Sequence, residues 1–286
     1  MGRWVIALVA AGLVLVGAAA RAQTAQVALA PTVFGSHNLP SDAITGFTVA
    51  CPSGYAAVSG GVSSPGAGAT LLSVRPVGTR GFTFRLGNPV TNDATRVTVA
   101  VACRKITGGA VLKLKRVTTR IVVEPGTQKS GMLTCPPKST PAGAAVDLDP
   151  VRAKSVESFS GASLSLRSST ATLRAFQFRI ANTGTRAHGA VVKGNCATVG
   201  LVPNVEHATL TTRITTYTNV VAPGTHHFRH RCRSGWISLG VGYALSSVSL
   251  RLEGTAAIGM GGQAWVRNTG AAPLTARLQV ICSRVD

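Results

Sequence analysis

Apolar and polar residues alternate with a period of two in short segments along most of the chain. The clearest examples are LSVR at 72–75, LSLR at 164–167 and VSLR at 248–251. Such alternation places the aliphatic side chains on one face of a strand and Ser and Arg on the other. Val and Thr are frequent in these segments, and Gly and Pro separate them, which favours many short strands. The pattern therefore predicts an all-β protein.

The strand pattern occurs three times, and each copy lies between two cysteines. Each copy opens with a cysteine, continues through glycines to a strand ending in Arg, and reaches an Asn before its closing cysteine. The interval from Asn88, Asn182 and Asn268 to the closing cysteine is 15, 14 and 14 residues. We expect three immunoglobulin-like β-sandwich modules with separate cores, strung one after another, over residues 23–105, 106–200 and 201–286.

The repeat also selects among the possible disulfides. Six cysteines allow 15 pairings. Pairing the opening and closing cysteine of each copy gives Cys51–Cys103, Cys135–Cys196 and Cys232–Cys282. Bridges between modules are the alternative.

Glycine, proline and asparagine mark the predicted turns and close contacts. Pro125-Gly126 and Pro223-Gly224 are typical of turns in which Gly supplies a positive φ. Glycines within the segments 58–62, 142–146 and 239–243 indicate bulges or close backbone approach. The recurrent Asn88, Asn182 and Asn268 are predicted to occupy turns, because Asn tolerates positive φ.

The first 22 residues are typical of an export signal. Arg3 precedes an apolar stretch over 4–20, and Ala20-Arg21-Ala22 fits a cleavage site. An uncleaved membrane anchor is the alternative, although this stretch is at the short end of what spans a bilayer. We expect a secreted or cell-surface protein with no transmembrane domain after removal of the signal.

The charge balance points to anionic partners. The chain carries 29 Lys and Arg against nine Asp and Glu, a formal net charge of +20. Such a surface attracts polyanions, so an anionic cell-surface polymer or another extracellular polyanion is the expected partner. No dedicated nucleic-acid motif is present. High charge that only maintains solubility, or an Arg-rich composition inherited from a GC-rich genome, would explain the same balance.

Six arginines recur between the copies and form the candidate polyanion-binding set. Period two predicts that Arg75, Arg167 and Arg251 point outward, and the second trio, Arg85, Arg179 and Arg267, precedes the recurrent Asn. Modules stacked in a line would align these side chains as a positive stripe. Outward Arg that protects strands from aggregation is the alternative.

Other chemistry is poorly supported by the sequence. Trp236, Tyr243 and Trp265 of the third copy form a candidate carbohydrate platform, although a packing role is favoured. Calcium at Asp147, Asp149 and Glu157, or zinc at the histidines of 226–230 with His188 or His207, is less favoured than exposed polar segments. No Gly-x-Ser-x-Gly motif or catalytic triad stands out, so an extracellular hydrolase ranks third. We expect a non-enzymatic protein without cofactor or metal.

The shared motifs resemble a known kind of module. Pro-Gly-Thr, Cys-Pro-x-Gly, Gly-Gly, Asn-Thr-Gly and an alternating strand ending in Cys are similar to small disulfide-containing β modules of exported bacterial proteins, especially from high-GC actinobacteria. The Asn-Thr-Gly strand also resembles bacterial immunoglobulin-like surface repeats. The resemblance implies a β-sandwich and export, and it implies no catalytic residues.

Overall fold

The described part of the chain is built from strands without a helix. The computed structural model describes residues 26–29, 32–66, 69–88, 93–108, 110–148, 164–201, 208–247 and 249–286. The signal predicted over residues 1–22 therefore lies outside the described residues. The strands are β1 (Gln26–Leu29), β2 (Val33–Leu39), β3 (Ala43–Ala50), β4 (Ala56–Ser64), β5 (Thr70–Val77), β6 (Gly81–Asn88), β7 (Thr95–Thr107), β8 (Ala110–Val123), β9 (Gln128–Thr134), β10 (Thr140–Asp147), β11 (Leu164–Ala171), β12 (Ala175–Asn182), β13 (His188–Leu201), β14 (Leu210–Val221), β15 (Gly224–Arg231), β16 (Ile237–Leu245), β17 (Leu250–Ile258), β18 (Gly261–Asn268) and β19 (Leu274–Val285).

Each repeat uses its strands in the same way. The last strand, which is β7, β13 or β19, lies between the first and third strands of its repeat. The fifth strand, which is β6, β12 or β18, lies between the second and fourth. In repeat 1 both β1 and β2 pair with β7. The all-β prediction is confirmed.

The three disulfides connect these two sets of strands. Cys51–Cys103, Cys135–Cys196 and Cys232–Cys282 are all formed, each within one repeat. Each opening cysteine follows the second strand, and each closing cysteine lies within the last strand. The predicted pairing is confirmed.

The repeats are joined into a ring, so the prediction of three tandem sandwiches is wrong. Asp147 of β10 pairs with Ser73 of β5, and Ser168 of β11 pairs with Ala244 of β16. These pairings create two six-stranded sheets, each made from two repeats. A four-stranded and a three-stranded sheet, which meet where β17 lies against β4, complete a propeller-like ring. The sandwich model fails because strand edges left free within one repeat find partners in the next.

The main hydrophobic core is shared by all three repeats. One cluster contains Val58 and Ala102 of repeat 1, Phe176 and Val192 of repeat 2, and Leu239, Ala257 and Ile281 of repeat 3. One smaller cluster consists of residues of repeat 1 with Ala145 of repeat 2, and another lies inside repeat 3. The described residues therefore do not form three separate cores, because side chains of all three repeats pack together in the largest cluster.

Glycines allow the repeats to approach. A Cβ atom built on Gly61 would overlap the carbonyl oxygen of Thr255, and one on Gly240 would overlap that of Ala142. A Cβ on Gly143 would meet the Val58 carbonyl oxygen at 2.7 Å. The predicted close approach is confirmed, and it occurs between repeats. Any larger residue at these positions would force the backbones apart.

The recurrent asparagines act by hydrogen bonding at strand ends. The Asn182 Nδ2 donates to the carbonyls of Val123 and Arg186, at 2.9 and 2.7 Å. The Asn268 Nδ2 donates equivalently to Val221 and Ala272, at 2.9 and 2.8 Å, and Asn88 follows the same pattern toward Leu39. None of the three has a positive φ, so the reason given for their recurrence was wrong. The positive φ predicted for the Pro-Gly turns is confirmed at Gly126 (65°) and Gly224 (106°).

A buried arginine ties repeat 1 to repeat 3. Arg104 of β7 is 0% exposed. Its Nε donates to the Ser238 carbonyl and its Nη2 to the Gly259 carbonyl, both at 2.9 Å. Burial lowers the pKa of this guanidinium to about 10, so it remains charged near neutral pH. The backbone carbonyls that it binds compensate for its lost hydration.

The asparagine contacts predict a specific loss of stability. Replacing Asn268 with Ala leaves the buried Val221 carbonyl and the part-buried Ala272 carbonyl without their donor, so the free energy of unfolding should fall by about 2 kcal/mol. Equilibrium unfolding in denaturant would measure this change. The matched control is Asn38→Ala, at an exposed position of β2. Equal stability of the two variants would contradict the bonding role.

The role of Arg104 in closing the ring leads to a second prediction about stability. Arg104→Met keeps much of the side-chain volume but leaves the carbonyls of Cys103, Ser238 and Gly259 without their hydrogen-bond donor. We expect unfolding to cost about 3 kcal/mol less in this variant, again measured in denaturant. Lys105→Met, at the neighbouring exposed position, is the control. A loss no greater than that of the control would show that Arg104 does not hold the ring closed.

Candidate functional site: a basic face across repeats 1 and 2

Five basic side chains lie on the outer face of the six-stranded sheet β3-β6-β5-β10-β13-β8. Strand register places Arg85, Ser73, Asp147, Val191 and Arg120 in one row across this sheet. The neighbouring residues two positions along the same strands are on the same face. They add Arg75 of β5, Lys193 of β13 and, one step further, Arg116 of β8. We call Arg75, Arg85, Arg116, Arg120 and Lys193 the basic face.

The basic face is assembled from two repeats. Arg75 and Arg85 come from repeat 1, whereas Arg116, Arg120 and Lys193 come from repeat 2. Arg116 and Arg120 are exposed, and the other three are partly buried. The face exists only because β5 and β10 pair across the repeat boundary.

The positive charge of this face is only partly neutralised. Arg75 forms an ion pair with Asp147, which is 3% exposed. The pKa of the Lys193 ammonium is lowered, first by burial and then by the nearby charge of Arg75. Asp147 opposes this shift, while Arg116 and Arg120 add to it. Among the charged neighbours of Lys193, the three arginines therefore outweigh the single carboxylate of Asp147.

Three buried polar atoms at the centre of the face have no hydrogen-bond partner among the described residues. They are the Ser73 Oγ, the Arg75 Nε and the Asp147 Oδ1. Buried polar groups usually have a hydrogen-bond partner, so each exception calls for an explanation. The centre of the basic face therefore holds spare donors and one spare acceptor.

The first predicted arginine trio does not form a stripe. Arg75 belongs to the basic face, but Arg167 is buried at 8% exposure and donates to the Leu250 carbonyl at 2.9 Å and to the Ser247 carbonyl. Arg251 is exposed on the three-stranded sheet. The outward placement predicted for Arg167 was wrong.

The different orientations of Arg75, Arg167 and Arg251 are caused by a β-bulge in the fourth strand of every repeat. The bulged residue is Leu72 in repeat 1, Arg167 in repeat 2 and Glu253 in repeat 3. The similar tetrapeptides therefore stand at different positions relative to the bulge. A one-residue irregularity moves later side chains to the other face.

The second trio is divided among three sides of the ring. Arg85 lies on the basic face, and Arg179 is exposed on the other six-stranded sheet. Arg267 lies on the three-stranded sheet, where its Nε is 2.9 Å from the Glu253 Oε1. The six recurrent arginines therefore do not share one surface.

The candidate carbohydrate aromatics do not share a platform. Tyr243 is 5% exposed. Trp265 stacks on His227 with ring centroids 4.1 Å apart, and its Nε1 donates to the Ser63 carbonyl at 2.8 Å. Trp236 packs near the Cys232–Cys282 disulfide, with the Arg284 guanidinium 5.0 Å from its ring centre. Each ring thus has a packing contact of its own.

Other candidate ligands have structural partners or lie outside the described residues. His230 stacks on Tyr217 at 3.8 Å, and its Nε2 hydrogen-bonds to the Asn219 Oδ1. Asp147 is engaged by Arg75. Asp149, Glu157 and His207 lie outside the described residues.

Sequence reasoning missed Arg116, Arg120 and Lys193 as site residues. The spacing of Arg116, Thr118 and Arg120 does indicate one polar strand face. This spacing does not show that the polar face continues into repeat 1.

Replacing the carboxylate of Asp147 tests its electrostatic interaction with Lys193. Because Asp147 raises the pKa of Lys193 against its other neighbours, Asp147→Asn should lower that pKa further. An NMR pH titration of the Lys193 ε-methylene signals would measure the direction. Asp286→Asn in repeat 3 is the isosteric control, and an unchanged Lys193 titration in Asp147→Asn would contradict the described coupling.

The described residues form neither a metal-binding cluster nor a membrane-spanning helix. Within the described ranges, no group of three His, Cys, Asp or Glu side chains could hold a metal ion. No helix in the described part of the chain is long and apolar enough to cross a membrane. No family model matches the chain, and no curated protein matches it.

Proposed function

We propose that the protein is a non-enzymatic, exported binding or structural protein that presents its basic face to an anionic polymer. The observation that carries the proposal is the clustering of Arg75, Arg116 and Arg120 around Lys193, whose pKa is lowered first by burial and then by these charges. Like charges held together in this way attract an external anion, because the anion relieves their repulsion.

The extent of the basic face favours a polymer over a small anion. Arg85 on β6 and Arg120 on β8 are separated by four strand spacings, or about 19 Å. The cations also stand on the outer surface of a sheet, where a flexible or linear molecule can lie across the strands. A small anion would contact only one or two of them at a time.

Export is part of the same proposal. The three disulfides are compatible with an oxidising compartment outside the cytoplasm. Secretion or attachment at the cell envelope would bring the basic face into contact with anionic surface polymers.

The proposal is tested by salt dependence and by charge removal. Binding to immobilised polygalacturonate should weaken steeply as salt rises, because counterion release drives such association. The triple change Arg116→Gln, Arg120→Gln and Lys193→Gln should weaken binding by about tenfold to a hundredfold at low salt. Affinity would be measured by biolayer interferometry across a salt series.

The control removes equal charge from other sides of the ring. It combines Arg179→Gln, Arg213→Gln and Arg277→Gln, which are exposed on strands of the other six-stranded sheet. This variant should bind almost as well as the unmodified protein. Binding that ignores salt, or equal losses in the two triple variants, would refute the assignment to the basic face.

A further inference from the structure

A groove adjoins one end of the basic face. It has a volume of about 480 Å³ and lies between the turn before β4, the β5–β6 turn and the first half of β8. Its lining includes Tyr55, Arg80, Leu112, Lys113 and Leu114. The groove therefore contains residues from both repeats that build the basic face.

A hydrogen bond connects the groove to the basic face. The Arg116 Nη2 donates to the Gly78 carbonyl at 3.1 Å. Gly78 belongs to the same turn as Thr79 and Arg80, which line the groove. A polymer bound along the basic face would reach the groove at Arg116 without leaving the positively charged surface.

The groove combines cations with apolar surface. The Arg80 Nη2 donates to the Cys51 carbonyl at 3.0 Å, which fixes the guanidinium at the groove wall. The Lys105 Nζ lies 5.9 Å from the centre of the Tyr55 ring, and Lys113 is exposed on β8. Tyr55, Leu112 and Leu114 supply aromatic and aliphatic surface between these charges. None of the described lining residues is acidic.

We infer that the groove binds a sugar unit of an acidic polysaccharide, which narrows the proposed polymer and rests on the proposed function. A uronic acid unit carries a carboxylate for Arg80 or Lys113 and a C–H face that can pack on Tyr55 or Leu114. A polyphosphate offers charge but neither apolar faces nor hydroxyl donors along its chain.

The inference predicts a loss that depends on the polymer. Lys113→Gln and the double variant Tyr55→Leu/Lys113→Gln should bind polygalacturonate about threefold and about tenfold more weakly, respectively. Binding of polyphosphate of matched chain charge should change by less in the double variant, because only the charge of Lys113 is lost. Isothermal titration calorimetry with both polymers at one ionic strength would measure the difference.

The control combines an aromatic residue of repeat 3 with an exposed lysine of β9 in repeat 2. Trp236 and Arg284 repeat the arrangement of Tyr55 and Lys105, with 5.0 Å between cation and ring centre. Trp236→Leu combined with Lys129→Gln changes the same residue classes elsewhere and should leave both affinities unchanged. Thermal unfolding would confirm that each variant is folded, and Lys113→Gln alters only an exposed side chain.

The outcomes separate this inference from the proposed function. Equal proportional losses for both polymers, or none for polygalacturonate, would overturn the groove assignment while leaving the basic face intact. Stronger binding of polyphosphate or single-stranded DNA than of polygalacturonate would also overturn it. Failure of the basic-face triple variant to weaken binding of either polymer would instead reject the proposed function.

Discussion

The pairing of free strand edges between repeats is the constraint on which the rest of the structure depends. The third and fourth strands of a repeat would each expose unsatisfied backbone groups if that repeat stood alone. Pairing β5 with β10 and β11 with β16 removes four of these six edges, and the remaining two, β4 and β17, lie against each other. Glycines such as Gly61 and Gly240 permit the close approach that accompanies this arrangement. The shared core and the two-repeat basic face both follow from it.

Each boundary between repeats is further stabilised by a different arginine. Arg75 pairs with Asp147 between repeats 1 and 2, Arg167 binds carbonyls between repeats 2 and 3, and Arg104 does so between repeats 3 and 1. A guanidinium suits this position because its planar array of donors can bind several carbonyls at once. Part of the net charge of +20 therefore serves the fold, and composition alone overstates the charge available for binding.

The disulfides, the Pro-Gly turns and the glycine close contacts were predictable, whereas the position of each strand bulge and the strand pairings between repeats were not. Cysteine and glycine positions specified the disulfides and the turns at Gly126 and Gly224. Alternation, however, reports only the two faces of an unbroken strand. The bulge falls on Leu72 in one repeat and on Arg167 in another, so similar peptides present different residues outward. Which edge pairs with which neighbour is likewise not encoded in a local pattern, so the basic face could not be assembled from the sequence.

Repulsion among the cations of the basic face opposes ring closure, and this repulsion links the function of the face to the stability of the ring. Burial and the charges of Arg75, Arg116 and Arg120 disfavour the charged form of Lys193, and Asp147 compensates only in part. The pairing of β5 with β10 brings these cations together, so the ring holds their repulsion within one sheet. An anion bound across both repeats would replace this repulsion with attraction on each side of the boundary. By linkage, a ligand that binds only the assembled ring also stabilises it. The surface formed by joining two repeats is thus the place where binding and ring closure reinforce each other.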